Sequence, residues 1–270
     1  MKIVVLGAGG MLGYAVTSYL SSRGHDVTAV ARKDFDIATD PFSKLVPLLN
    51  RPDAIINCAG VIKPRIAEMP IEHTLQVNAV FPRNLAKHAQ REGIPCLHVT
   101  TDCVYTGKKG KYDENDLFDA DDVYGMSKNA GETTDCMVLR TSIIGEEKGQ
   151  GRSLLEWARS QAGKEVKGFL NHHWNGVTTL QLAKLAEQIL EQKMYEPAIF
   201  HVHSPDTVNK YELVSLINEI YGLNMRIQPV DAPTACDRSM TSVKPLSAKV
   251  SKTPLGKQIQ EMKDFFAAAN

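Results

Sequence analysis

Near the start of the chain, Gly7-Ala8-Gly9-Gly10-Met11-Leu12-Gly13 joins an apolar, β-branched run to an amphipathic one. Residues 2–6 (Lys-Ile-Val-Val-Leu) have the composition of a strand buried on both faces. Residues 11–22 set Leu12, Ala15, Val16, Tyr19 and Leu20 at helical spacing, and Gly24 supplies a C-terminal stop. Strand, glycine turn and helix in that order leave few folds open. The turn presents backbone amides at a helix N-terminus, which is where the pyrophosphate of a dinucleotide binds. The spacing is G-x-x-G-x-x-G through Gly7, Gly10 and Gly13, not G-x-G-x-x-G, because Leu12 stands where the last glycine of that motif would fall.

The same rhythm continues. Residues 27–31, 54–57, 96–101 and 137–140 read as strands. Residues 75–91 read as a helix, closed by Gly93-Ile94-Pro95, and residues 126–132 fit the start of another. Strands alternating with helices predict an α/β fold, a Rossmann-type doubly wound parallel sheet with helices on both faces. After Gly145 the rhythm breaks. Residues 146–152 are polar and glycine-rich, a crossing into a second region. Residues 180–192 then form a helix, 199–202 a returning strand, and 211–221 and 259–268 further helices. This divides the chain into a dinucleotide-binding domain over 1–145, onto which 176–202 packs back, and a smaller C-terminal substrate-binding region of 146–175 and 203–270.

Composition closes off several functions. Lys plus Arg and Asp plus Glu are both 31, so the net charge is zero and nothing draws the whole protein to nucleic acid or an anionic membrane. No apolar stretch is long enough to span a bilayer, and the run that ends at Gly7 is too short for a signal peptide. The five cysteines are odd in number, dispersed and without a C-x-x-C pair, which argues for cytoplasmic thiols over a disulfide framework or zinc. His172-His173 and His201-x-His203 lack a carboxylate or cysteine at ligand spacing, so no metal is expected.

The end of the second strand distinguishes the cofactors. An acidic residue there would bond the ribose 2′-OH of NAD(H), whereas this chain has Arg32 and Lys33, which can pair with a 2′-phosphate. NADP(H) is therefore favoured over NAD(H), with Asp34 and Asp36 keeping the latter open. Further along, Tyr124 and Lys128 stand four apart, on one face of a helix. A cation beside a phenol favours the tyrosinate, so Lys128 is expected to lower the Tyr124 pKa and fit it for proton exchange with a substrate oxygen. Thr100-Thr101-Asp102 closes the fourth strand at the ligand-binding edge of such a sheet. Trp174 and Asn175 could meet a hexose, and Arg238 could meet a diphosphate or simply pair with Asp237.

These residues together resemble an extended short-chain dehydrogenase/reductase, most closely the dTDP-4-dehydrorhamnose reductase group. The resemblance rests on Gly7/Gly10/Gly13, Asn57-Cys58-Ala59-Gly60, Asn78, Thr100-Thr101-Asp102-Cys103-Val104-Tyr105, Tyr124-Gly125-Met126-Ser127-Lys128, Gly131-Glu132 and Leu139-Arg140-Thr141-Ser142. It is looser in the second half, through Val177-Thr178-Thr179 and Lys210-Tyr211-Glu212-Leu213. It implies that Tyr124 is the general acid of a reduction, that Lys128 tunes it and holds the nicotinamide ribose, and that Thr101 bonds the reacting carbonyl. It implies that Asp36 and Ile37 pack the adenine, that Cys58, Ala59 and Gly60 line the cofactor, and that Asn78 supports the site. Gly7, Gly10, Met11, Leu12, Gly13, Arg32 and Thr100 complete the cofactor-facing set, with Tyr124 and Lys128. Thr101, Asp102, Cys103, Tyr124, Trp174 and Arg238 are the substrate-facing candidates. Arg140 reads as a structural ion-pair partner.

The resemblance has gaps. The family's Ser-Thr-Asp-Tyr-Val-Phe run is Thr-Thr-Asp-Cys-Val-Tyr here, Ile143 replaces an aromatic residue after Arg-Thr-Ser, and Val61-Ile62-Lys63-Pro64-Arg65 replaces a more acidic segment. The expected reaction is NAD(P)H-dependent reduction of a nucleotide-linked 4-keto-6-deoxyhexose. A 4,6-dehydratase would carry Thr-Asp-Glu, and Cys103 stands in place of that acid. A 4-epimerase of the same superfamily and a catalytically silent, NADP-binding regulatory subunit are the alternatives, though the subunit would not need both Tyr124 and Lys128. Family members are often dimers, so a homodimer is a further expectation.

Overall fold

The computed structural model describes residues 1–148, 151–246 and 252–268. Its centre is a six-stranded sheet of β1 (Lys2–Leu6), β2 (Asp26–Val30), β3 (Ala54–Asn57), β4 (Cys96–Thr101), β5 (Met137–Thr141) and β6 (Ile199–His201). The order is β6-β5-β4-β3-β1-β2, and every pairing is parallel. Side chains alternate between the two faces. Ile3, Val5, Ile56, Leu97 and Leu139 pack with Leu12, Val16 and Leu20 of helix α1 (Met11–Ser22). Val4, Leu6, Ile55 and Val138 pack on the other face with Phe81, Leu85 and Ala89 of α2 (Phe81–Glu92). Both faces are covered, which is why these strands read as unbroken apolar runs. Each fully buried Leu or Ile contributes about 1.5–3 kcal/mol. This is the Rossmann-like α/β fold. From β1 the chain winds to β2 on one side, and β3 then takes the opposite edge of β1. That reversal opens a crevice at the carboxyl ends of β1 and β3.

The expected helix over 75–91 is longer and broken in pitch. An α-helical turn, Ile71–Leu75, leads into a π-helical segment, Gln76–Val80, and then into α2. Pro82 explains the widening. It has no N–H to give Asn78, one turn back, and its ring crowds that carbonyl. The freed Asn78 carbonyl lies against Gly131, where a Cβ would overlap it. Helix α3 (Val123–Gly131) starts three residues earlier than the apolar pattern suggests, because Asp122 caps it and accepts from the Gly125 amide at 2.8 Å.

Past Thr141, the middle of the 146–152 crossing (residues 149 and 150) lies outside the described residues. Helix α4 (Thr179–Glu191) returns against α1 and β6 joins the sheet beside β5. The remaining segments build a separate core around Leu155, Trp174, Leu213 and Ile217, with α5 (Lys210–Tyr221) and the C-terminal helix Leu255–Ala268. Among the described residues no helix is long and apolar enough to cross a membrane.

A buried ion pair ties these parts together. Arg140 on β5 gives Nε and Nη2 to Glu132 at 3.0 and 2.5 Å, and both side chains are at most 2% exposed. Thr100 on β4 donates to the same carboxylate at 2.6 Å. Arg140 Nη1 donates to the Tyr105 hydroxyl at 2.7 Å and lies 2.8 Å from His201 Nε2 on β6. Removing one partner strands the other charge. Arg140→Met is therefore expected to cost about 3–5 kcal/mol in urea unfolding, and adding Glu132→Leu to recover most of that loss.

Candidate active site

The glycine turn is shaped by close approaches. The Gly7 and Ala8 amides both donate to the Val30 carbonyl, at 3.0 and 3.1 Å, and Gly10 donates to the Gly7 carbonyl at 2.9 Å. Gly7 has a φ of +75°, and a Cβ there would lie 2.7 Å from the Ala59 backbone. A Cβ on Gly13 would overlap the Gly7 carbonyl. Without side chains at these positions, the first turn of α1 comes up against the end of β1. The amides of Met11, Leu12 and Gly13 have no intrahelical carbonyl to reach, and they converge where an anion would be held. Gly10 is the N-cap, Met11 lines the crevice, and the Leu12 side chain is part of the core, so Leu12 can offer only its amide.

From this turn runs a cleft of about 550 Å³. Arg32, Asp36 and Ile37 line it after β2, and Cys58, Ala59 and Gly60 after β3. Arg65 and residues 151–153 form the opposite wall. Arg32 Nε bonds Asp36 Oδ2 at 3.0 Å, so the cation and the acid predicted from the sequence meet in one exposed pair at the mouth. Amides at a helix N-terminus, a glycine-lined floor and a cationic mouth fit a dinucleotide.

Of the reactive side chains, Lys128 meets that cleft at Gly60. Tyr124 and Lys128 lie on successive turns of α3. Thr101 lies near enough to the Tyr124 phenol to act on its proton. Thr101 Oγ1 also accepts from the Cys103 amide at 3.1 Å and donates to Asp102 at 3.2 Å. Lys128 is buried; its Nζ donates to the Val99 carbonyl at 3.1 Å and lies 3.4 Å from where a Cβ on Gly60 would stand. Asn78 clamps the same corner. Its Oδ1 accepts from the Val61 amide at 2.8 Å, and its Nδ2 donates to the Val61 carbonyl and to Ser127 Oγ, both at 3.1 Å.

The electrostatics differ from the expected Lys-to-Tyr coupling. Burial raises the Tyr124 pKa above the ordinary phenol value, Cys103 and Asp102 add to the rise, and Thr101 opposes it. Burial pushes Lys128 down to about 8, against the pull of Glu132 and Cys58. The ammonium turns toward Val99 and Gly60, and desolvation prevails at the phenol. Tyr124 therefore stays protonated.

The other candidates are placed as follows. Thr100 faces Glu132 and serves the ion pair rather than the cleft. Asp102 is buried, and burial raises its pKa while Arg238 opposes the rise. Burial pushes Cys103 up to about 12. Arg238 Nε donates to the Tyr105 carbonyl at 2.8 Å, and the rest of its guanidinium faces the Asp102-Cys103 corner. Trp174 is 6% exposed and packs in the second core, so it offers no open face to a sugar. Asn175 is spent on the Met240 backbone, and His201 on Arg140 and the Tyr112 and Thr241 carbonyls. In the 61–65 segment Lys63 pairs with Asp122 at 2.5 Å, whereas Arg65 faces the cleft. Lys210 was named from the sequence only within the Lys210-Tyr211-Glu212-Leu213 run, with no role given to it. This ammonium at the first turn of α5 has its pKa lowered by burial and faces Asp102, Cys103 and Arg238.

Residues 1–268 match the family described as the RmlD substrate binding domain. The spore coat polysaccharide biosynthesis protein SpsK of Bacillus subtilis is 27% identical, over 85% of this chain and 82% of its own. The dTDP-4-dehydrorhamnose reductase of Aggregatibacter actinomycetemcomitans is 26% identical, over 94% of this chain and 92% of its own. Among solved structures, the Bacillus anthracis dTDP-4-dehydrorhamnose reductase in complex with NADP superposes with a TM-score of 0.83 at 21% identity, each chain covered in full. With its whole described length matched, the chain belongs to the RmlD substrate binding domain family.

Proposed function

We propose that the protein is an NAD(P)H-dependent reductase of a nucleotide-linked 4-keto-6-deoxyhexose. One observation carries the reading. Tyr124, held protonated by burial, stands one helical turn from Lys128, whose ammonium reaches the Gly60 wall of the cleft. When bound there, a reduced nicotinamide supplies the hydride for the carbonyl carbon. The residues supply the rest. Thr101 holds the carbonyl oxygen, Tyr124 donates its phenolic proton to that oxygen, and Lys128 with the Gly60 backbone holds the ribose side of the cleft. Carbonyl, hydride and proton together make the alcohol. The Asp102-Cys103 corner with Arg238 and Lys210 receives the sugar nucleotide, whose diphosphate suits an Arg fork and a Lys ammonium. On this reading residues 1–145 with 176–202 hold the cofactor, and 146–175 with 203–270 hold the substrate. Arg32 at the cleft mouth supports NADP(H) over NAD(H).

Purified protein is expected to oxidise NADPH with at least one nucleotide-linked 4-keto-6-deoxyhexose from a panel; no turnover with any member rejects the assignment. Tyr124→Phe should lower kcat roughly 10²–10⁴-fold while leaving cofactor affinity intact, since it removes the proton and little else. Arg32→Ala should narrow the preference for NADPH over NADH by about tenfold, read from the ratio of kcat/KM values, because one charge-assisted contact is lost. Lys128 is charged below its pKa of about 8 and loses that charge as pH rises through it. NADPH affinity should therefore fall on the alkaline side of about pH 8 in titrations by fluorescence, and Lys128→Arg should lack that limb.

A further inference from the structure

Asn57 ends β3, and the sheet register sets it opposite His98 on β4. Both side chains are buried, His98 to 1% exposure. The Asn57 carboxamide has one workable orientation. Its Oδ1 accepts the Ala59 amide at 3.1 Å, which leaves Nδ2 facing His98. Nδ2 can only donate, so His98 Nδ1, 3.1 Å away, is the bare acceptor of the ring. The ring proton then sits on Nε2, which has no partner among the described residues. A proton on Nδ1 would oppose two donors, and turning the carboxamide over would take the acceptor from Ala59. Burial pushes the ring's pKa well below the ordinary imidazole value, the nearby Lys128 ammonium adds to that, and the Asn57 backbone opposes it.

The bonded chain leads to the cleft. Ala59 belongs to the Cys58-Ala59-Gly60 loop, which walls it. Lys128 Nζ and Asn78 Oδ1 both stand 3.4 Å from the Cβ position of Gly60, and Lys128 is bonded to the carbonyl of Val99, the residue after His98. Resting on the reading of this cleft as a cofactor site, we propose that His98 is a positioning residue: by accepting from Asn57, it fixes the loop against which the Lys128 ammonium and the cofactor are held.

Three measurements on the whole protein test this. Long-range ¹⁵N NMR of the wild type should show the His98 proton on Nε2 and Nδ1 bare. His98→Leu, which removes the acceptor, should speed hydrogen exchange at the Ala59 amide. It should also weaken NADPH binding by calorimetry about tenfold, the effect of one lost buried hydrogen bond, and raise the cofactor KM with kcat little changed. His98→Gln, whose carbonyl can still accept from Asn57, should restore most of the affinity. A proton on Nδ1, or a folded His98→Leu with wild-type Ala59 exchange and NADPH affinity, overturns the proposal. If the leucine variant does not fold, the tautomer of the wild type decides. If the wild type binds no dinucleotide, the functional reading fails, and the tautomer and Ala59 exchange still decide the role of His98.

Discussion

The Arg140–Glu132 pair holds in place everything the site depends on. Glu132 follows the last turn of α3, the helix that carries Tyr124 and Lys128. Arg140 belongs to β5, and Thr100, bonded to the same carboxylate, precedes Thr101 on β4. One carboxylate thus fixes the helix with the phenol relative to the strand with the hydroxyl. Taking two charges out of water costs several kcal/mol per ion, so the pair is tolerable only because its polar atoms are so fully occupied. Tyr105 and His201 complete the guanidinium's bonds, and they join the loop after β4 and the strand β6 to the same centre.

Desolvation also sets the chemistry of the neighbouring groups. It acts on Tyr124 and Lys128 in opposite directions and in both cases favours the neutral form. For a phenol that means a retained proton, and for an ammonium a readiness to lose one near neutrality. The proposed reduction needs the first, since in it the phenol gives its proton to the substrate oxygen. An exposed pair with the same spacing would show neither effect.

The parts of the fold governed by local pattern were legible in the sequence. Strands β1, β3 and β4 fall where their apolar runs lie, and Gly7 and Gly13 were legible from glycine spacing between a strand and a helix, where a Cβ would meet backbone. Lys128 and Asn78 were named from spacing and resemblance, and both stand at Gly60. What escaped was set by tertiary contact. The π turn arises from Pro82 acting one turn back, and a period of 3.6 cannot register it. Trp174 is chemically suited to a sugar, and only packing reveals that its ring is consumed by a core. The partnership of Asn57 and His98 depends on strand register, and that of Lys210 and Arg238 with Asp102 on distant segments folding onto one corner. The direction of the Tyr124 shift was missed for the same reason: spacing announces a cation, not how deeply the phenol is buried.

The last strand of the sheet has a consequence for the chain's integrity. β6 arrives some 60 residues after β5 in the chain and hydrogen-bonds along its otherwise open side. A fragment ending before Ile199 would bare the amides and carbonyls of a five-residue apolar strand, Met137–Thr141, as a template for another molecule's backbone. It would also deprive Arg140 of His201. The sheet is therefore incomplete until that downstream strand arrives. During synthesis β5 stays unpaired on that side until the downstream segment emerges, and an unpaired strand edge is open to misassociation.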